Sequence, residues 1–178
     1  FTGTAPCISQ SSAFTADKIA TPLNLAADVA VNLIAGGGRV ELDGLISGAG
    51  GLVLNGGSGN ENGELNGGPN QHFSTLSLNC ASNTYSGGTI INGGTLRLAS
   101  NSVLGTGPLT LNEGAGLAPG QGNASNGLIL NGGTIDAGNL DWNASITLNG
   151  NTRIAGHQVN FNNVSGAMTG PGGFTVIG

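Results

Sequence analysis

The chain has 178 residues and a net charge of −5, with only 7% of its residues charged, which is enough sequence for one domain and too few cations to neutralise a nucleic-acid backbone. Gly accounts for 35 positions and Asn for 22, yet Pro occurs only six times and no G-x-y period runs through the sequence, which excludes collagen. The 38% hydrophobic share falls in short regular clusters, which excludes a disordered chain, and the longest apolar stretch, Leu23 to Ala35, is broken by Asn24, Asp28 and Asn32, which excludes membrane insertion of this segment.

Residues 1–27 hold little Gly, with Phe1, Phe14, Ile19 and Leu23 as apolar anchors, and read as an N-terminal cap or arm. The sequence opens on Phe1 without a basic leader, as a processed mature chain or a fragment would. Residues 28–178 read as one all-β domain. Short runs alternate apolar and polar residues: Val29 to Leu33, Val40-Glu41-Leu42, Leu52-Val53-Leu54, Leu76-Ser77-Leu78, Leu96-Arg97-Leu98, Leu109-Thr110-Leu111, Leu128-Ile129-Leu130, Ile146-Thr147-Leu148, Val159-Asn160-Phe161 and Phe174-Thr175-Val176. A period of two puts one face of each strand inside. The outer residues of Leu96–Leu98, Leu109–Leu111, Leu128–Leu130 and Ile146–Leu148 are therefore expected to point inward, with Arg97, Thr110 and Thr147 pointing out. Between the runs, residues 57–73 carry no strand pattern and read as a protruding loop.

Most runs are followed by Asn-Gly or Gly-Gly. Asn-Gly between strands is ordinarily a hairpin signal and would predict an antiparallel sandwich. Three features favour a parallel β-helix of about seven or eight rungs instead. The strands are very short, the aromatic anchors of a sandwich core are missing, and the small turns recur with the same chemistry, as stacked rungs require. A longer repetition is also visible. "ISGAGGLVLNG" at Ile46 to Gly56 matches "MTGPGGFTVIG" at Met168 to Gly178.

The stretch Leu76 to Leu117 resembles the autotransporter-associated β-strand repeat, also called the passenger-associated transport repeat. The resemblance is carried by Asn83-Thr84-Tyr85-Ser86-Gly87-Gly88-Thr89, by Asn92-Gly93-Gly94-Thr95-Leu96, and by Leu104-Gly105 with Leu109-Thr110-Leu111. It implies a right-handed parallel β-helix, export across the bacterial envelope and a place in a large surface protein. It implies no single activity, because the repeat is scaffold. Cys80 stands where a small residue such as Ser or Gly is usual in the family.

Candidate sites are few. Cys7 and Cys80 form an even pair, expected to be oxidised either within the chain or between subunits. His72 and His157 have no acidic neighbours at ligand spacing and the cysteines are not a C-x-x-C pair, so no metal is expected. Asp136, Asp141 and Arg153 are the only grouping that suits a polysaccharide-cleaving β-helix. With Trp142 as the single Trp there is little substrate-stacking surface, so no enzyme and no cofactor are expected. "GGSGNENGE", Gly56 to Glu64, is a near miss to a calcium-binding nonapeptide, with Glu61 in place of Asp. The sequons at Asn123, Asn143 and Asn163 occur about as often as the composition predicts.

The leading functional expectation is an extracellular structural module of a bacterial surface, self-associating through its solenoid ends into a head-to-tail filament. Phe1, Gly173, Phe174, Val176 and Ile177 are the expected assembly residues. The alternative is an adhesin or passenger fragment that binds a host or matrix glycan, with Tyr85 and Trp142 as contact rings or the 57–73 loop as contact segment. A polysaccharide lyase or hydrolase is the third reading.

Overall fold

In a computed structural model of the chain, residues 2–11, 16–33, 38–57, 74–99, 103–119, 122–136, 140–155 and 167–177 are described. They form a parallel β-solenoid. The chain passes the same faces in order. The first pass is β1 (Cys7–Gln10), β2 (Ala16–Ile19) and β3 (Leu23–Asn24); the second is β4 (Val29–Leu33), β5 (Arg39–Leu42) and β6 (Ile46–Ser47). The third and fourth are β7 (Leu52–Asn55) with β8 (Thr75–Leu78), and β9 (Thr89–Ile91) with β10 (Gly94–Leu98). The fifth is β11 (Leu109–Leu111), β12 (Ala115–Pro119) and β13 (Gly122–Ala124); the sixth is β14 (Leu128–Leu130), β15 (Thr134–Asp136) and β16 (Leu140–Trp142). The last two are β17 (Ile146–Leu148) with β18 (Asn151–Ala155), and β19 (Met168–Thr169) with β20 (Gly173–Ile177).

Two eight-stranded sheets result. Sheet 1 stacks β1, β4, β7, β9, β11, β14, β17 and β19, and sheet 2 stacks β2, β5, β8, β10, β12, β15, β18 and β20. Among the described residues, a third side carries only the pairs β3–β6 and β13–β16. The pairs across an Asn-Gly corner, such as β9 and β10, lie in different sheets, so the hairpin reading fails and the parallel one holds.

The strand alternation explains the core. In sheet 1, Val31, Leu54, Ile91, Leu111, Leu130 and Leu148 fall in one register column, and Val29, Leu52, Thr89, Leu109, Leu128 and Ile146 in another; all are buried. In sheet 2 the matching column is Val40, Leu76, Leu96, Leu117, Ile135 and Ile154. Burying each aliphatic side chain contributes roughly 1.5–3 kcal/mol. The expected inward residues, including Leu98 and Leu148, are all buried, while Arg97 is exposed and Thr110 and Thr147 are half-exposed.

The recurring Asn-Gly pair is the corner from sheet 1 to sheet 2. In Asn92-Gly93-Gly94, Gly94 has φ +75, and in Asn131-Gly132-Gly133, Gly133 has φ +82. Side-chain-bearing residues rarely adopt that conformation, and a Cβ on either glycine would also press on the backbone carbonyl of the pass below.

Two sequence boundaries change meaning. Within residues 1–27, read as a cap or arm, the strands Cys7–Gln10, Ala16–Ile19 and Leu23–Asn24 pair in register with the second pass and make up the first. The duplicated element occupies two different corners: Ile46 to Asn55 runs from the third side into sheet 1, and Met168 to Ile177 runs from sheet 1 into sheet 2. What repeats is a local turn. Gly48 (φ +110) sits on the carbonyl of Leu25 and Gly170 (φ +107) on that of Leu148, and Gly50 N and Gly172 N donate to those same carbonyls at 2.8 Å. The loop expected at 57–73 falls almost wholly outside the described residues; its flanks meet where Gly57 N donates to Ser74 Oγ at 3.3 Å.

Candidate functional site

The most ordered polar feature is a side-chain ladder on the sheet 1 corner. Asn32 and Asn55 lie within the last two positions of β4 and β7, Asn92, Asn112, Asn131 and Asn149 directly follow β9, β11, β14 and β17, and five amide bonds join them. Asn55 Nδ2 donates to Asn32 Oδ1 at 3.0 Å, Asn92 to Asn55 at 2.9 Å, Asn112 to Asn92 at 2.7 Å, Asn131 to Asn112 at 2.7 Å and Asn149 to Asn131 at 2.9 Å. Every bond points the same way, from the later pass to the earlier one. The sequence separations are 23, 37, 20, 19 and 18. The longest step contains the 58–73 segment, so an insertion there leaves the ladder intact.

The third side, where the described residues of the third and fourth passes form no strand, is held by buried asparagines instead. Asn83 Oδ1 accepts from Ile46 N at 2.7 Å while its Nδ2 donates to Val103 O at 2.6 Å, so one side chain spans three passes. Asn126 Nδ2 lies 2.7 Å from both Gly105 O and Gly107 O, and its own carbonyl accepts Trp142 Nε1 at 2.6 Å.

The two rings expected to meet a glycan are therefore core residues. Tyr85 and Trp142 are both 0% exposed and have no face to offer a sugar. Tyr85 shares a 2.7 Å hydrogen bond with Thr89 Oγ1, and burial pushes its phenol above the usual tyrosine value, with the bonds to Thr89 and to the Gly105 backbone opposing the shift. In a core of aliphatic side chains, the lone Tyr and the lone Trp are buried on the third side and satisfy their polar atoms locally. Tyr85 instead packs directly beneath Gly105, where an added Cβ would lie 2.8 Å from its ring, and Trp142 ends β16 with its Nε1 on the Asn126 carbonyl.

The intramolecular form of the expected Cys7–Cys80 bridge is corrected: within the chain the two cysteines are not joined. Cys7 is exposed in the first pass on sheet 1, and Cys80 follows β8 in the third pass. Two passes at about 4.8 Å each separate them along the axis by roughly 10 Å, beyond the roughly 7 Å Cα reach of a disulfide. Asp136 and Arg153 lie on adjacent passes of sheet 2, where Asp136 pairs with Ala155 and Arg153 with Thr134. Asp141 belongs to β16 on the third side, so the three do not share one face. His72, His157, Phe1, Val159 to Phe161, Asn163 and most of the calcium-like nonapeptide lie outside the described residues. Among the described residues, no group of three or more His, Cys, Asp or Glu could hold a metal, and no helix is long and apolar enough to cross a membrane.

Charge is concentrated near the first pass. Lys18 Nζ lies 2.9 Å from Asp43 and 3.2 Å from Glu41, and Arg39 pairs with Glu41. Asn79 Nδ2 donates to Asp43 Oδ1 at 2.6 Å. That bond, and then Lys18, hold the Asp43 carboxyl below its ordinary value, while Asp43 and Glu41 raise the Lys18 ammonium.

The two ends differ. Of the expected assembly residues, Gly173, Phe174 and Ile177 are half-buried in β20 and Val176 is 74% exposed. Met168, at the end of the Val29–Ile146 column, is 46% exposed. At the other end, Asp17 takes the register position below Val40, where every later strand of sheet 2 has an aliphatic residue, and it is exposed. Sequence reading passed over Asp17, although a lone acid in an apolar column was its signal.

Residues 74–98 match the family model of the passenger-associated-transport-repeat. This segment is similar to that repeat. In the structure it is one full turn of the coil, from β8 around the Asn83–Tyr85 third side, through β9 and the Asn92 corner, to β10. No curated protein and no solved structure matches the chain. A parallel β-solenoid carrying this repeat fits an autotransporter passenger module, and the repeat family points to a secreted or cell-surface setting.

Proposed function

We propose that the chain is an extracellular structural module of a bacterial surface protein, a rigid solenoid segment that associates with its own kind through its ends and carries no catalytic role. The supporting observation is the unbroken ladder from Asn32 to Asn149 running beside the apolar columns. Side chains that in a binding site would face a ligand are here bonded to the next turn of the coil. Asn83 and Asn126 span passes, Tyr85 and Trp142 fill the core, and Lys18, Arg39, Glu41 and Asp43 neutralise one another.

The adhesin reading keeps one point in its favour: the ladder is exposed over most of its length and offers a regular row of amides to an uncharged glycan. Two measurements separate the readings. Antibody raised against the chain labels intact cells if the module is at the surface, and loss of labelling without permeabilisation rejects that location. A glycan array probed with the purified chain gives only background if the role is structural, whereas saturable binding to one glycan class rejects the structural reading in favour of the adhesin.

A further inference from the structure

We propose that two copies of this chain pack side by side through the outer face of sheet 1, their coils running in the same direction. The contact uses only the second to seventh passes, which lie inside the chain, and is independent of association through the ends.

In those passes the outward residues of sheet 1 form a column of Ala30, Val53, Ile90, Thr110, Ile129 and Thr147, in register from strand to strand. Ile90 is 36% exposed and the others are half-buried. Two residues further along each strand runs the asparagine ladder. Two residues before the column, Gly51, Gly88, Pro108, Gly127 and Ser145 make a rank of short side chains. That rank begins at Asp28, whose Oδ1 accepts from Gly51 N at 2.7 Å. The column and the ladder hold no charged residue, whereas the outer face of sheet 2 carries Arg39, Glu41, Arg97 and Arg153.

This face is complementary to itself. All of the column except Ala30 is β-branched, with few rotamers to lose, and the ladder bonds already fix the amides, so little side-chain freedom is lost on contact. A half-turn about an axis parallel to the coil lays column on column, pass for pass. It also sets the ladder of each copy over the short rank of the other. The apolar column is then central, and a row of amides lines each border, as in interfaces with an apolar middle and a polar rim. Each interior asparagine spends one N–H and one lone pair on the ladder and keeps the others for water or the second copy. Coils running in opposite directions would set ladder on ladder at one border and leave a gap between short ranks at the other. Passes about 4.8 Å apart and ranks about 7 Å apart give a patch of roughly 500 Å² per copy. The pair buries about 1,000 Å², the lower bound of a specific interface, so the dimer is reversible. The contact is isologous and closes at two copies.

The test is cross-linking with a short bis-maleimide in a background with Cys7→Ser and Cys80→Ser, since facing sheets lie about 10 Å apart, too far for a disulfide. Thr110→Cys and Thr147→Cys, each as the sole cysteine, should both give a single covalent dimer, because each column residue faces its own counterpart. Sedimentation without the linker should show a monomer–dimer equilibrium that Ile90→Lys weakens at least tenfold. Ala118→Lys, beside Arg97 on the outer face of sheet 2, should leave it unchanged. A dimer that neither cysteine traps, or that Ile90→Lys does not weaken, would place the contact elsewhere and overturn the lateral proposal while leaving end association standing. A chain that stays monomeric at high concentration would overturn both. A monomer whose Thr110→Cys thiol a neutral oligosaccharide protects from alkylation would overturn the proposal and give the face to a glycan.

Discussion

Asn112 and Asn92, 20 residues apart in sequence, are joined by a 2.7 Å hydrogen bond from the Nδ2 of the first to the Oδ1 of the second. Asn112 also accepts from Asn131, so it is an interior link with two bonds, while Asn149 makes only one within the ladder. Replacing Asn112 with Ala should cost about 1–3 kcal/mol, two net hydrogen bonds' worth, and Asn149→Ala about half as much. Urea unfolding midpoints of the two variants check this; equal or reversed losses would mean that the ladder does not stabilise the coil.

Leu111 lies mid-column between Ile91 and Leu130 and is fully buried. Leu111→Ala should cost about 2–5 kcal/mol, because the passes above and below are fixed by backbone bonds and cannot collapse into the cavity. A loss under 1 kcal/mol in denaturant unfolding would show that the passes are not close-packed.

The Leu, Ile and Val columns were legible in the sequence because a parallel register preserves the period of two from pass to pass. The corner glycines were legible for a related reason, since each Asn-Gly recurs where the coil must turn. The roles of Tyr85 and Trp142 were not. Tyr85 lies between strands and Trp142 ends β16, on a third side where, among the described residues, strands occur in only some passes and leave no periodic signature. The Ile46 and Met168 elements misled in the same way: their similarity encodes one turn geometry, and only the register shows that the turns stand at different corners. A bond between Cys7 and Cys80 within one chain could be judged only once their passes, the first and the third, were known.

Trp142 is buried and donates to the Asn126 carbonyl. Its fluorescence should be blue-shifted in the native chain and resistant to acrylamide, and it should red-shift on unfolding. Added oligosaccharides should leave it unchanged. Ready quenching in the native state would place the ring at the surface and revive it as a contact residue.

Both cysteines are free, with Cys7 exposed and Cys80 half-buried. Thiol titration of the native chain should find two reactive groups, Cys7 reacting first. Absence of both thiols in freshly isolated chain, with monomer retained on a non-reducing gel, would restore the intramolecular bridge.

The Asp43 carboxyl titrates below its ordinary value of 3.8, through Asn79 and then Lys18. A depressed folded value means that its contribution is present above 3.8 and is lost as pH falls through the lower folded value. Lys18, whose value is raised above 10.5, contributes fully below that and loses its contribution as pH rises through the higher folded value. Asp43→Asn should therefore lower the thermal midpoint at pH 6 by a small amount, the groups being exposed, and the gap should close as the pH falls below 3.8. A gap that stays constant with pH would detach Asp43 from the ion pair.

The central claim is that one turn of the coil brings residues 20 apart into parallel register, as the pairing of Thr75 with Thr95 and of Ser77 with Arg97 requires. Disulfide trapping in the Cys7→Ser, Cys80→Ser background measures this directly. The Thr75→Cys, Thr95→Cys pair should oxidise to an intramolecular cross-link, and the Thr75→Cys, Arg97→Cys pair should not. Cross-linking of the second pair and not the first would mean that the strands run antiparallel, which contradicts the solenoid.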